Sequence, residues 1–136
     1  EQLLSGYGLE QIYQAFTSQK GREENADAGV NKLSAEQIST RAIENSCSVC
    51  YQALSLFCRV LGSFAGNLAL TANSLGGVYI AGGIVPRFIE FLQQSDFRLR
   101  FETKGRLSSL TQQTPTYVIT ESQPGLLGAS AYLNQT

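Results

Sequence analysis

The start of the chain carries one apolar helix face followed by a polar stretch. Apolar residues recur every three or four positions over residues 8–19, which predicts an amphipathic helix that Lys20 and Gly21 close. The apolar residues are Leu9, Ile12, Tyr13 and Phe16. Residues 20–33 are charged, polar and punctuated by glycine, so they predict an exposed loop.

A capping box opens the next helix. The Ser34 hydroxyl can accept a hydrogen bond from the backbone N–H of Gln37, while the Gln37 side chain reaches back to the backbone N–H of Ser34. This pattern predicts a helix that runs to about Asn45. Residues 47–73 follow as the most hydrophobic part of the chain, with apolar residues at spacings of three and four. This spacing predicts a long and largely buried helix.

The long apolar helix invites comparison with a membrane span. Gly62 and Gly66 form a GxxxG pattern, which suits close packing of helices. However, Arg59 lies in the middle of the run and Asn67 lies towards its end, and a central arginine is costly in a bilayer. A core helix of a soluble protein is the favoured interpretation, so no membrane contact is expected.

The second half of the chain mixes short strands with helices. Residues 78–81 are rich in β-forming side chains and predict a buried strand that Gly82 and Gly83 end, and Pro86 then suits the first position of a helix. The segments that follow are predicted as a helix at 97–105, a polar loop at 106–114, a strand at 116–120 and a closing helix at 124–135. The pattern predicts an α/β fold rich in helices.

Composition narrows the possible functions. The chain has 136 residues, of which 43% are hydrophobic, so it can form one domain with a core, or part of one. Ten basic and eleven acidic residues give a net charge of -1, so no basic surface is expected for nucleic acid. Because histidine is absent, Ser-His-Asp and Cys-His catalytic arrangements are excluded. No signal peptide is recognisable, and a reducing cytoplasm is the expected location.

The residue at position 1 and the three cysteines each need an interpretation. The chain contains no methionine, so Glu1 is expected to be an internal residue of a longer protein or a processed end. Cys47 and Cys50 form a CxxC, with Cys58 further along. Three thiols without an imidazole do not make a zinc site, and a thioredoxin-like pair would follow a strand. The favoured interpretation is two small apolar residues one helical turn apart.

The Gly82-Gly83 turn is the best candidate site that the residues alone indicate. Glycines after a buried strand let a flat ring or a phosphate approach the backbone, and the next helix N-terminus offers N–H groups. The pattern is neither GxGxxG nor GxxxxGK, so a tight strand–helix connection explains it equally well. Ser5 and Gly6 form a second turn before the first helix, where a plain N-cap is the simpler explanation.

Several blocks of sequence resemble bacterial glucokinases of the hexokinase and actin-like ATPase superfamily. The blocks are LSGYGL at 4–9, ALSLFC at 53–58, GNLAL at 66–70, GGVYIAGGIVPRF at 76–88 and PGLLG at 124–128. The resemblance implies the helix-rich C-terminal part of an α/β, ribonuclease-H-like kinase, with short strands near 78–82 and 116–120. Residues 1–136 would form most of one lobe plus the closing helix, with the N-terminal lobe and the phosphate loops outside the chain.

The resemblance also implies roles for individual residues. Glu1 aligns with a glutamate that accepts hydrogen bonds from glucose hydroxyls, as an acceptor-only carboxylate can. Gly82 and Gly83 match the glycine pair of the adenosine motif, and Ser5 and Gly6 match the loop on the other side of that pocket. No catalytic residue is expected within the chain, because the general-base aspartate would lie upstream, and no metal ligand is expected within it.

The implied activity is ATP-dependent phosphorylation of the 6-hydroxyl of glucose, the first step of glycolysis. Glucose and ATP are the implied substrates, Mg²⁺ accompanies ATP, and the full-length enzyme is expected to be a homodimer. The chain alone is expected to be inactive, and to expose apolar surface of the 47–73 helix that favours association. The alternatives are a kinase for another hexose or an N-acetylated amino sugar, and a non-catalytic regulatory or structural module that reuses the lobe.

Overall fold

The computed structural model describes residues 3–23 and 32–135. Its first three helices are α1 (Gly6–Glu23), α2 (Ala35–Ile43) and α3 (Ser48–Thr71). The second half contains β1 (Val78–Ile80), α4 (Ile89–Gln94), α5 (Phe97–Glu102), α6 (Ser108–Gln113), β2 (Thr116–Val118) and α7 (Pro124–Leu133). Two 3₁₀ turns, Val85–Phe88 and Gly105–Leu107, precede α4 and α6. The α/β, helix-rich class expected from the sequence is confirmed.

Helix α3 forms the centre of the core. Its buried residues include Leu54, Phe57 and Cys58, and α1, α2 and α5 pack around it. It is the one helix in the described parts of the chain that is long and apolar enough to cross a membrane, and part of its apolar surface is packed against these neighbours. Gly62 and Gly66 lie against the backbone of α5, so the GxxxG pattern does serve close packing.

The two strands form a small parallel sheet. Val78 pairs with Thr116 and Ile80 with Val118, and Ile119 continues the ladder by donating its N–H to the carbonyl of Ile80 at 2.9 Å. The prediction of a buried strand at 78–81 is wrong in its burial, because Tyr79 is 64% exposed and stacks on Tyr117. Val78, Ile80 and Val118 lie on the face of this sheet that packs against the core, whereas Tyr79 and Tyr117 lie on the exposed face.

The structure corrects the ends of two predicted helices. Helix α1 continues through Lys20 and Gly21 to Glu23, because a single glycine costs a helix only about 1 kcal/mol. The predicted loop at 20–33 is therefore partly helical, and its residues 24–31 lie outside the described part of the chain. The helix predicted over 97–105 ends at Glu102.

The predicted polar loop at 106–114 is also wrong. It contains most of a 3₁₀ turn and all of α6, whose last carbonyls accept hydrogen bonds from the guanidinium of Arg98. That partner lies ten or more residues away in sequence, so local polarity gave no sign of it.

Apolar side chains remain exposed on several helices, most of all on α3 and α7. On α3, Tyr51, Phe64 and Leu68 are each 47% exposed. Helix α7 has no buried residue at all, and its exposed apolar residues are Leu126, Leu127, Tyr132 and Leu133.

Candidate functional site

A cavity of about 270 Å³ lies where the first turns of α1 and α2 meet the segment after β1. Seven residues line it: Gly6, Ala35, Glu36, Ser39, Gly83, Ile84 and Arg87. The three segments are far apart in sequence, so the cavity is built entirely by tertiary packing. It brings together one glycine from each of the two turns that the sequence singled out.

The first wall is the N-terminus of α1. The hydroxyl of Ser5 accepts a hydrogen bond from the N–H of Gly8 at 3.0 Å, and its carbonyl accepts from Leu9 at 3.0 Å. Ser5 therefore caps α1, as the simpler sequence interpretation has it. A Cβ at Gly6 would lie 3.5 Å from the Cβ of Ala35, which is ordinary van der Waals contact between the two helix starts.

The second wall is the N-terminus of α2, which a capping box fixes in place. The Ser34 hydroxyl accepts from the Gln37 N–H at 3.3 Å, and the Gln37 side chain accepts from the Ser34 N–H at 3.0 Å. The carboxylate of Glu10 on α1 accepts from the N–H of Ala35 at 3.1 Å. Buried Ser39 donates its hydroxyl to the carbonyl of Glu36 at 2.9 Å. Of these contacts, the hydrogen bond from Ala35 to Glu10 joins α2 to α1, and the others stabilise the first turns of α2 itself.

The third wall is the turn that follows β1. Gly82 has a φ of +119°, a conformation that L side chains rarely adopt, so glycine is required there by the backbone. Gly83 has no such requirement, and nothing lies within 4 Å of the position that its Cβ would take. Open space in front of an unstrained glycine is what close approach of a ligand to the backbone needs.

An ion pair joins the second and third walls. Arg87 Nη1 lies 3.2 Å from Glu36 Oε2, and both side chains are more than half exposed. The N-termini of α1 and α2 add partial positive charge to the cavity, which favours a ligand with anionic or hydrogen-bond-accepting groups. Phe88, next to Arg87, is instead a core residue whose ring meets that of Phe57 edge to face at 6.1 Å.

The candidate residues from the sequence therefore separate into three groups. Gly6 and Gly83 line the same cavity, while Ser5 and Gly82 shape the turns on either side of it. Glu1 lies outside the described residues. The sequence interpretation missed Ala35, Glu36, Ser39 and Ile84, although the capping box at Ser34 marked a helix N-terminus that could have been considered with the glycine turns.

The described residues do not build a metal centre at this cavity. Among residues 3–23 and 32–135, no group of three or more His, Cys, Asp or Glu side chains could hold a metal ion. The carboxylate that lines the cavity, Glu36, is paired with Arg87. A Mg²⁺ ion would thus find no carboxylate set here, and its ligands would have to come from elsewhere.

A second group of reactive side chains lies at the start of α3. Cys47 is the N-cap residue, and its sulfur accepts a hydrogen bond from the N–H of Cys50 at 3.3 Å. The sequence interpretation of two apolar residues on one helix is therefore wrong for Cys47, which sits outside the helix and caps it. Burial raises the pKa of Cys50 to about 12 and that of Cys58 to about 11. For Cys47, burial acts to raise the pKa, but hydrogen bonds from Cys50 and Val49 and the charge of Arg41 outweigh it and lower the pKa overall.

Comparison with known proteins matches the whole chain. A sequence profile described as glucokinase covers residues 1–136. The chain is 68% identical over 135 residues to a glucokinase of Colwellia psychrerythraea and 50% identical over 135 residues to one of Photorhabdus laumondii, in each case covering 99% of the chain. It spans 41% and 40% of the lengths of these two relatives.

A solved structure agrees with the sequence comparison. The crystal structure of glucokinase from an Antarctic psychrotroph superimposes with a TM-score of 0.82 at 39% sequence identity, over 100% of this chain and 40% of that one. The resemblance expected from the IAGGIVPRF and PGLLG blocks is thus confirmed by sequence and by fold. This chain belongs to the glucokinase family.

Proposed function

We propose that the full-length protein is an ATP-dependent glucokinase that transfers the γ-phosphate of ATP to the 6-hydroxyl of glucose. Membership of the glucokinase family supports the reaction class. The observation that carries the assignment of this chain is the cavity in which Gly6 and Gly83 come together beside two helix N-termini. Its size, its open glycine wall and its partial positive charge suit part of a nucleoside.

The chain's contribution would be to bind and orient the nucleotide. The backbone at Gly83 would lie against the adenosine, with Gly82 giving the turn its conformation and Ser5 and Gly6 fixing the opposite wall. Arg87 and Glu36 would set the width of the opening through their ion pair. Phosphoryl transfer depends on such positioning and on charge neutralisation more than on covalent chemistry by the protein.

The remaining groups of the reaction would come from outside these residues. Mg²⁺, bound to the phosphates of ATP, would neutralise charge on the transferred group. Glu1 would accept hydrogen bonds from glucose, a role that rests on the family resemblance alone. The chain by itself would be inactive, whereas the full-length enzyme would work as a homodimer in the cytoplasm, without nucleic acid or membrane. Formation of glucose 6-phosphate by the purified 136-residue chain would contradict the proposal that the chain by itself is inactive.

The nucleotide assignment is tested by filling the cavity. In the full-length protein we expect Gly83→Val to weaken ADP binding at least tenfold, about 1.4 kcal/mol, with glucose affinity unchanged. Gly76→Val is the matched control, because Gly76 is also exposed in a loop with nothing within 4 Å of its Cβ position, yet does not line the cavity. Calorimetric titration of both variants with ADP decides the matter. Equal ADP affinity in the two variants would remove Gly83 from the nucleotide site.

The activity itself needs a separate experiment. Glucose, another hexose and an N-acetylated amino sugar are each offered to the full-length protein with ATP, and sugar phosphate is measured. Preference for glucose is expected, and Glu1→Gln should lower the affinity for it. Binding of ATP and glucose without turnover would favour the regulatory alternative, and preference for another sugar would favour the other kinase classes.

A further inference from the structure

The N-terminus of α3 places two thiols in direct contact. Cys47 has φ −146° and ψ 112°, so its side chain folds back over the first turn of the 24-residue helix. Its sulfur accepts from the Cys50 N–H at 3.3 Å, and the two thiols also hydrogen-bond to each other. Both are free in the structure, as is Cys58. The cap residue and the third residue of the helix thus carry thiols that lie within hydrogen-bonding distance of each other.

The surroundings give the two sulfurs different reactivity. The first-turn N–H groups and Arg41, in the last turn of α2, stabilise negative charge on Cys47, whose pKa they lower against the opposing effect of burial. Cys50 is 0% exposed, and burial raises its pKa. Cys47, the more acidic thiol, therefore has the properties of the cysteine that attacks an oxidant. Cys50, which stays protonated and buried, has those of the cysteine that resolves the oxidised product into a disulfide.

Access from solvent is restricted to one of the two thiols. A cavity of about 280 Å³ lies directly over Cys47 and is lined by Asn45, Cys47, Ser48, Tyr51 and Gln52. Cys47 is partly exposed, whereas Cys50 lies beneath it in the core. A small oxidant can therefore reach Cys47 and not Cys50 or the fully buried Cys58.

We propose that Cys47 and Cys50 form a redox-active dithiol that peroxides convert to a reversible disulfide within the chain. Neither cysteine lines the cavity that holds Gly6 and Gly83, so the proposal does not depend on the assignment of the nucleotide site. The peroxide reacts first with the exposed sulfur of Cys47, and the buried sulfur of Cys50 reacts in the second step.

The chemistry balances with hydrogen peroxide as the oxidant. The Cys47 thiolate attacks one peroxide oxygen, so that an S–O bond forms, the O–O bond breaks, and hydroxide leaves and is protonated to water. Cys47 is then a sulfenic acid, oxidised by two electrons. The Cys50 sulfur attacks Cys47, an S–S bond forms, and the S–O bond breaks as hydroxide takes the Cys50 proton and leaves as water. One peroxide thus oxidises two thiols and yields two waters.

The test uses the full-length protein, reduced and then treated with stoichiometric hydrogen peroxide under native conditions. After alkylation in denaturant, peptide mass mapping should show a Cys47–Cys50 disulfide, seen as the loss of two hydrogens. Dithiothreitol should restore the two free thiols, and Cys58 should be alkylated before and after oxidation. Before oxidation, Cys47 should react with a maleimide at least about tenfold faster than Cys58. A disulfide that includes Cys58, or loss of all three thiols at one rate, would overturn the proposal.

Two variants separate the steps. In Cys50→Ser, Cys47 should stop at the sulfenic acid and be trapped by dimedone, whereas in Cys47→Ser the remaining thiols should resist the same treatment. Both serines can still hydrogen-bond at their positions, and the wild-type mapping stands without either variant if one fails to fold. Equal oxidation of Cys50 in Cys47→Ser would show that Cys47 is not the site of attack.

Discussion

Gly62 on α3 faces the backbone carbonyl of Phe97 on α5 with no room for a side chain between them. A Cβ built at Gly62 would lie 2.9 Å from the carbonyl carbon of Phe97 and closer still to its oxygen. One turn later, Gly66 meets Phe101 and the side chain of Lys104 in the same way. The two glycines thus set the separation of α3 and α5, and with it the position of the buried rings of Phe97 and Phe101.

Replacement of Gly62 by alanine should therefore destabilise the protein. A methyl group there must push the backbone of α5 away from α3, and overpacking of this kind costs up to about 3 kcal/mol, which exceeds the roughly 1 kcal/mol that alanine gains over glycine within a helix. We expect Gly62→Ala to lower the free energy of unfolding, measured in urea. Gly128→Ala is the control, because Gly128 lies within α7 with nothing near its Cβ position. Equal free energies of unfolding for Gly62→Ala and wild type would show that the contact is loose.

This packing also marks the limit of what the sequence reveals. The helix α3 and its GxxxG face could be predicted because spacing and small residues are local signals. Helix α6 could not, since Arg98 on α5 holds its carbonyls. The cap at Cys47 was missed because thiols are not among the usual N-cap side chains.

Only part of the cavity could be predicted from the sequence, because only some of its residues belong to local patterns. Its glycine turns at Gly6 and Gly83 stand out locally, and the resemblance to glucokinases assigned both to one pocket. Its polar walls did not, because the ion pair between Glu36 and Arg87 exists only once α2 and the 3₁₀ turn after β1 are packed together.

Arg98 should be worth more to stability than its partly exposed position suggests. Its guanidinium donates to the carbonyls of Thr114 at 2.9 Å, Gln112 at 3.1 Å and Thr111 at 3.2 Å, at the end of α6 and just before β2. A lysine offers one compact charge in place of this planar fork. We expect Arg98→Lys to lower the free energy of unfolding by about 1–3 kcal/mol, since charge-assisted hydrogen bonds are lost.

The neighbouring cation provides the control for that prediction. Arg100 lies on the same helix and is exposed, so Arg100→Lys should change the free energy of unfolding by less than about 0.5 kcal/mol. Denaturant titrations of both variants give the comparison. Similar losses in the two would mean that the hydrogen bonds of Arg98 to α6 add nothing beyond a surface charge.

The two glycines after β1 should respond differently to alanine. Gly82→Ala forces a side chain into a φ of +119° and should cost about 1–3 kcal/mol of stability, although nothing lies near its Cβ. Gly83→Ala meets neither strain nor a neighbour and should leave stability within about 0.5 kcal/mol. Urea unfolding measures both. The reverse order of stabilities would contradict the backbone conformation described for this turn.

Burial of Cys58 should make the protein sensitive to alkaline pH. Burial raises the pKa of this fully buried thiol to about 11, against a hydrogen bond with Ser95 that acts to lower it, whereas the unfolded thiol titrates near 9. Above pH 9 the unfolded chain loses this proton while the folded chain keeps it. The free energy of unfolding therefore has its full value below pH 9 and falls as the pH rises to about 11. Two pKa units correspond to about 3 kcal/mol. Since the folded thiol is half ionised at pH 11, we expect wild type to lose about 2 kcal/mol more stability than Cys58→Ala between pH 8 and 11, in urea titrations under reducing conditions. Cys50 titrates in both proteins and cancels in the difference. Parallel pH profiles would show that the buried thiol is not kept protonated by the fold.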